Sequence, residues 1–174
     1  MKKIILIITC FSFISCSTQM KLNKSKDIDI LINTPWKFGE NNRVNYTIEN
    51  KSNKTYIIDP YGFSGESYWL FDNKKLNQID RSRGYYTRHT DDDCQNDLVI
   101  IKPGQKIDTN LDPNDRDEGI YDLSKPGKYI WNIKSYHSKG NSMPLTCKSY
   151  INTLEKRGYI MLEDSIVAKI PFVR

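Results

Sequence analysis

Histidine is scarce in this chain of 174 residues: there are two, His89 and His137, and they form no HExxH and no pair at metal-ligand spacing. A catalytic zinc is not expected, nor is any other metal. Neither a P-loop nor a G-x-G-x-x-G occurs, so nucleotide binding through those motifs has no support and no cofactor is expected. Gly62-Phe63-Ser64-Gly65 approaches a nucleophile elbow, but Glu66 stands where the second glycine is required, and the stretch reads as a Gly-rich loop. No nucleophile, base and orienter can be assembled from spacing, so the chain is expected not to be an enzyme. Long apolar runs are missing too: none reaches the roughly 20 residues that span a bilayer. A strong charge of one sign is also lacking. The formal excess of +5 falls to +3 without Lys2 and Lys3, and the charges are interspersed, so no nucleic-acid partner is expected.

At the N-terminus, Met1-Lys2-Lys3 is a positive start, followed by the apolar run Ile4 to Ile14 and then Ser15-Cys16-Ser17. A run of this length suits a secretory leader. Phe13-Ile14-Ser15-Cys16 resembles the lipobox of bacterial lipoproteins, with Ser15 at the small position and Phe13 where Leu is usual. That resemblance implies a signal peptide over 1–15, acylation at Cys16, and a place in the bacterial cell envelope, lipid-anchored at the outer membrane. Cys10, after Ile7-Ile8-Thr9, competes for the role but would leave a short apolar run; an ordinary secreted protein with Cys16 near its cut is the other alternative. Several acyl chains bury far more CH₂ than the single chain that binds marginally, so such an anchor is durable. Ser17 to Asp27 is polar and without periodicity, and 16–27 is expected to be a lipidated end followed by a flexible tether.

Beyond it, 28–174 reads as one domain of short strands. Ile28, Ile30 and Ile32 sit at spacing two, as do Val44, Tyr46 and Ile48, closed by the turn cluster Asn50 to Asn53. Tyr56 to Ile58 is stopped by Asp59-Pro60, and Tyr68 to Phe71 leads through Asp72 to Lys75 into Leu76 to Ile79. Further runs are Leu98 to Ile101, Ile107 to Leu111, Tyr129 to Ile133, Tyr159 to Leu162 and Ile166 to Val173. Ser149 to Arg157 suits one or two helical turns. The pattern predicts an all-β sandwich of about 7–9 strands.

Val44 to Ser52 resembles a strand and Asn-x-Ser turn of bacterial immunoglobulin-like modules. Leu98 to Gly104, Ile120 to Ser124 and Pro126 to Tyr129 resemble the Ig-like domain that precedes the catalytic domain of some deuterolysin-type metalloendopeptidases; they are also similar to proteinase-inhibitor-like β-sandwich modules. The resemblance implies an immunoglobulin-like antiparallel sandwich, with Tyr121 and Tyr129 beside the Pro-Gly turn in the manner of a tyrosine corner. The peptidase's own catalytic domain has no counterpart here. A binding or scaffolding module of the envelope, held to the membrane by its lipid and meeting an envelope protein partner, is therefore expected; an inhibitor of exported proteases is the rival.

Cys94 and Cys147 are the remaining thiols, and in an exported chain they are expected to form one disulfide, two separate thiols being the alternative. Asp91-Asp92-Asp93 and Asp112 to Gly119 read as solvated acidic loops, with surface calcium as the alternative. Asp164-Ser165-Ile166 resembles a three-residue acceptor motif for O-glycosylation of periplasmic proteins. The candidate binding surface is the excursion from Tyr61 to Asp97, where Tyr61, Tyr85, Tyr86 and Arg88 are the types that anchor interfaces. The alternative is that Tyr85 and Tyr86 continue a strand.

Overall fold

The computed structural model describes residues 18–37, 44–79, 90–111, 121–140 and 147–174. Its first half contains β1 (Thr18–Lys21), β2 (Ile28–Thr34), β3 (Trp36–Lys37), β4 (Asn45–Asn50), β5 (Tyr56–Ile58), β6 (Phe63–Phe71) and β7 (Lys74–Lys75). Then come α1 (Asp91–Asp97), β8 (Val99–Ile101), β9 (Lys106–Asn110), β10 (Lys128–His137), α2 (Lys148–Lys156), β11 (Ile160–Met161) and β12 (Asp164–Val173). The runs expected as strands are strands except Leu76 to Ile79, where the strand is instead Lys74–Lys75 and Gln78 makes only an isolated bridge to Tyr121. The extra ones are short edges of two to four residues, β1, β3 and β7.

Alternation decides the layers. In β4 Tyr46 and Ile48 are buried, and in β10 Tyr129, Trp131 and Ile133, while their neighbours Thr47, Ile130 and Lys134 turn outward. Two sheets face each other across these side chains, β1-β2-β4-β9 and β3-β12-β10-β6-β7, and a smaller sheet, β11-β5-β8, lies at one end. The chain changes sheets at the cis peptide Thr34–Pro35, so β2 belongs to the first sheet and β3 to the second. This is an all-β sandwich, in which β2, β4 and β9 follow the order of strands A, B and E of an immunoglobulin domain and β6, β10 and β12 that of C, F and G. Two short edge pairings depart from the antiparallel pattern of the sandwich. β3 runs parallel to β12 and β11 parallel to β5, because each reaches its partner by a crossing rather than a hairpin.

The tyrosine corner is Tyr129, whose hydroxyl donates to the Lys125 carbonyl at 2.7 Å. In antibody domains a half-cystine follows this tyrosine by two residues. Here Trp131 stands there and stacks on Trp69, with centroids 5.4 Å and planes 5° apart, while Phe172 meets Trp69 edge-on at 5.0 Å. Neither indole N–H has a hydrogen-bond partner among the described residues, a cost of about 1–3 kcal/mol each that the burial of two large rings must exceed.

Three expectations fail in instructive ways. The segment expected as a tether is folded: Thr18 to Lys21 pair with Thr34 to Leu31, and Leu22 is 3% exposed. Its polar residues are spent on hydrogen bonds rather than water. Asn23 donates to the Ile28 carbonyl and to Asp164 and accepts from the Ile30 amide, and Asp164 also accepts from the amides of Ser25 and Ser165. Burial works against the Asp29 carboxylate, but the Lys21 and Lys51 ammonium groups outweigh it and hold its pKa below the ordinary 3.8. The acidic run Asp91 to Asp93 is not a loop but the start of α1. Thr90 Oγ1 accepts from the Asp93 amide while the Asp93 carboxylate accepts from Thr90, a capping box that uses acid where the helix dipole favours it. Phe63 to Gly65 lie in β6 rather than in a Gly-rich loop; a Cβ on Gly65 would fall 2.1 Å from the Lys134 carbonyl, so the glycine serves close strand approach.

α2, close to the helical turns expected over Ser149 to Arg157, buries Ile151 and Leu154 against Ile57, Leu98 and Met161 in a second core. Cys94 of α1 and Cys147 at the start of α2 form a disulfide there, with Cα atoms 5.6 Å apart. The bond closes a separation of 53 residues, worth about 4 kcal/mol in the chain-entropy treatment. Reductant should lower the unfolding free energy by about that amount in a urea titration. An unchanged midpoint would show that the helical end is held without the bond.

Candidate functional site

β6 and β10 set the geometry of the site, because they run together from one end of the sandwich to the other. Nine residues of β6 cover about 27 Å. Phe63 faces His137 at one end, and Phe71 faces Tyr129 at the other.

At the Phe63 end a turn from Asp59 to Gly62 presents Tyr61, the exposed member of the candidate binding surface at 44% accessibility. The turn is closed by the Gly62 amide on the Asp59 carbonyl at 2.9 Å, and the Asp59 carboxylate accepts from the Tyr61 amide at 3.0 Å. Behind it lies His137, fully buried. The Asp59 amide donates to His137 Nε2 at 3.0 Å, which places the ring proton on Nδ1, and Nδ1 donates to the Leu162 carbonyl at 2.6 Å. Phe63 packs on the ring with centroids 4.7 Å apart. Burial pushes the His137 pKa below 6.5 against the opposing pull of the Leu162 carbonyl, Asp59 and Asp164. Both nitrogens serve the backbone, so this histidine positions the Tyr61 turn. Sequence reading missed that role, since 78 residues separate His137 from Asp59 and no local pattern joins them.

Of the other expected positions, Cys16, Tyr85, Tyr86 and Arg88 lie outside the described residues, as does the second acidic run, 112–119. Asp164 is buried and bonded as described above, and Ser165 pairs with Tyr136 inside a ladder, an arrangement unlike an open acceptor site. The described residues hold no group of three His, Cys, Asp or Glu able to bind a metal, and no helix long and apolar enough to cross a membrane.

The opposite end carries a groove of about 650 Å³ on the outer face of the five-stranded sheet. Leu70, Ile130 and Pro171 lie side by side across its floor, because each turns away from the core at matched register. The Asp72-Asn73 hairpin turn, with φ of 49° and 60°, borders it on one side, and Thr18 and Pro35 border it on the other. No family model matches the chain, and no curated protein matches it in sequence.

His137 makes stability depend on pH. Its folded-state pKa lies below the unfolded value of 6.5, so the unfolded chain takes up the proton first and stability is lost as pH falls through and below 6.5. Thermal midpoints measured from pH 7.5 to 5 should therefore decline, and His137→Gln should flatten the decline while lowering the midpoint at neutral pH. A wild-type curve with no slope in that window would contradict the assignment.

Proposed function

We propose that the chain is a non-enzymatic lipoprotein of a bacterial cell envelope, anchored to a membrane, the outer membrane of a two-membrane cell, through Cys16 and acting as a binding or scaffolding module for an envelope protein. The supporting observation is the order of parts at the N-terminus: Lys2-Lys3, the apolar run, Ser15-Cys16, and then, after Ser17 alone, the first strand of an all-β sandwich at Thr18. A durable anchor on one side and a rigid β scaffold on the other suit a protein that holds a partner in place.

The recognising element in this reading is the Tyr61 turn. It projects an aromatic ring from a base of buried, mutually bonded groups, so little order has to be imposed on binding. The same rigidity favours a second reading, inhibition of an exported protease, in which the turn enters a peptidase cleft. Stoichiometric loss of activity across a panel of secreted proteases would replace scaffolding by inhibition.

Cys16→Ser separates the anchored reading from an ordinary secreted one. The variant should leave the membrane fraction or keep its leader, and it should lose the mass of the acyl chains. If it partitions into detergent and weighs the same as the parent apart from the substitution itself, Cys16 is not the anchor.

A further inference from the structure

We propose that the groove end of the sandwich lies directly against the membrane, with its lysines on anionic lipid headgroups and its apolar floor facing lipid. This rests on the anchor proposed at Cys16. It adds an orientation and a contact surface, which anchoring alone does not require.

Reach comes first. Thr18 both begins β1 and borders the groove, and Cys16 is two residues before it. Two residues span at most about 7 Å, no more than about the thickness of a headgroup layer. A chain acylated at Cys16 therefore cannot hold this end away from the bilayer as a tether over 17–27 would.

Charge comes second. Around this end the described residues place six basic side chains, Lys37, Lys74, Lys75, Lys125, Lys128 and Arg174, all exposed, against two exposed carboxylates, Asp72 and Asp122. The register brings them together: Lys37 pairs with Val173, Val173 with Lys128, and Lys74 with Phe71, while the Arg174 guanidinium bonds the Leu123 carbonyl beside Lys125. Lys37, Lys74, Lys125 and Lys128 form no ion pair among the described residues, whereas Lys21, Lys51 and Lys139 elsewhere are each matched by a carboxylate. Unpaired ammonium groups are attracted to an anionic leaflet. The row Leu70, Ile130 and Pro171 between them gives the same surface an apolar strip. A leaflet of phosphate over hydrocarbon matches both features at once.

The experiment is amine-acylation footprinting of the lipidated chain in phosphatidylethanolamine–phosphatidylglycerol vesicles, read by mass spectrometry and normalised to soluble Cys16→Ser protein. Lys37, Lys74, Lys125 and Lys128 should react about threefold more slowly in vesicles, while Lys102, Lys148 and Lys156 at the other end should be unchanged. Equal reactivity of the two sets in chains whose Cys16 peptide carries acyl mass overturns the seating and leaves the anchor standing. Absence of acyl mass on that peptide overturns the anchor, and the seating with it. Replacing Lys125 and Lys128 together by Gln should weaken the protection of Lys37 and Lys74; undiminished protection would remove the headgroup contact from the account.

Discussion

The Asp164 carboxylate is the interaction on which the placement of the chain's beginning depends. A buried carboxylate is costly unless its lone pairs are met, and Asp164 meets them with the Asn23 side chain and the amides of Lys24, Ser25 and Ser165. Those donors come from the segment just after β1 and from the first residues of β12, so one group ties the start of the fold to its last strand. Asn23 completes the tie by bonding both neighbours in β2, at Ile28 and Ile30. Leu22 then has no choice but to enter the core. With this knot in place, β1 can complete the first sheet and Thr18 comes to border the groove.

The strands were legible because period two writes itself into composition: Ile28, Ile30 and Ile32, or Tyr129, Trp131 and Ile133, cannot lie on one face of a helix and all lie on one face of a strand. The tyrosine corner was legible for the same local reason, a tyrosine beside Pro-Gly. What stayed hidden depends on partners far away. Thr18 to Asp27 look soluble because their polar groups are counted as seeking water, when they seek Asp164 and Asp29. Asp91 to Asp93 look like a loop until Thr90 is recognised as a cap. Cys94 and Cys147 could be paired only because so few cysteines were left to choose from. Of the candidate site, residue type alone pointed to Tyr61, and nothing in the sequence pointed to the His137 that braces it.

The two ends of the sandwich differ in construction. One holds both helices, the disulfide, the second core and the Tyr61 turn, with buried groups bonded to backbone. The other is an open apolar strip edged by ammonium groups. In the proposed lipoprotein the first is the outward end, where rigidity serves recognition, and the second is the end next to the lipid. About 27 Å of β6 and β10 separates them, enough to lift the recognising turn clear of the headgroups.

The central claim is that Thr18 to Asp27 belong to the fold and are not a free tether. Native-state hydrogen exchange at the Leu22 and Ser25 amides tests it most directly, since they donate to the Ile30 carbonyl and the Asp164 carboxylate. The account predicts that both exchange as slowly as amides of β10, through global unfolding. Exchange at the rate of an unstructured peptide at both positions would contradict it.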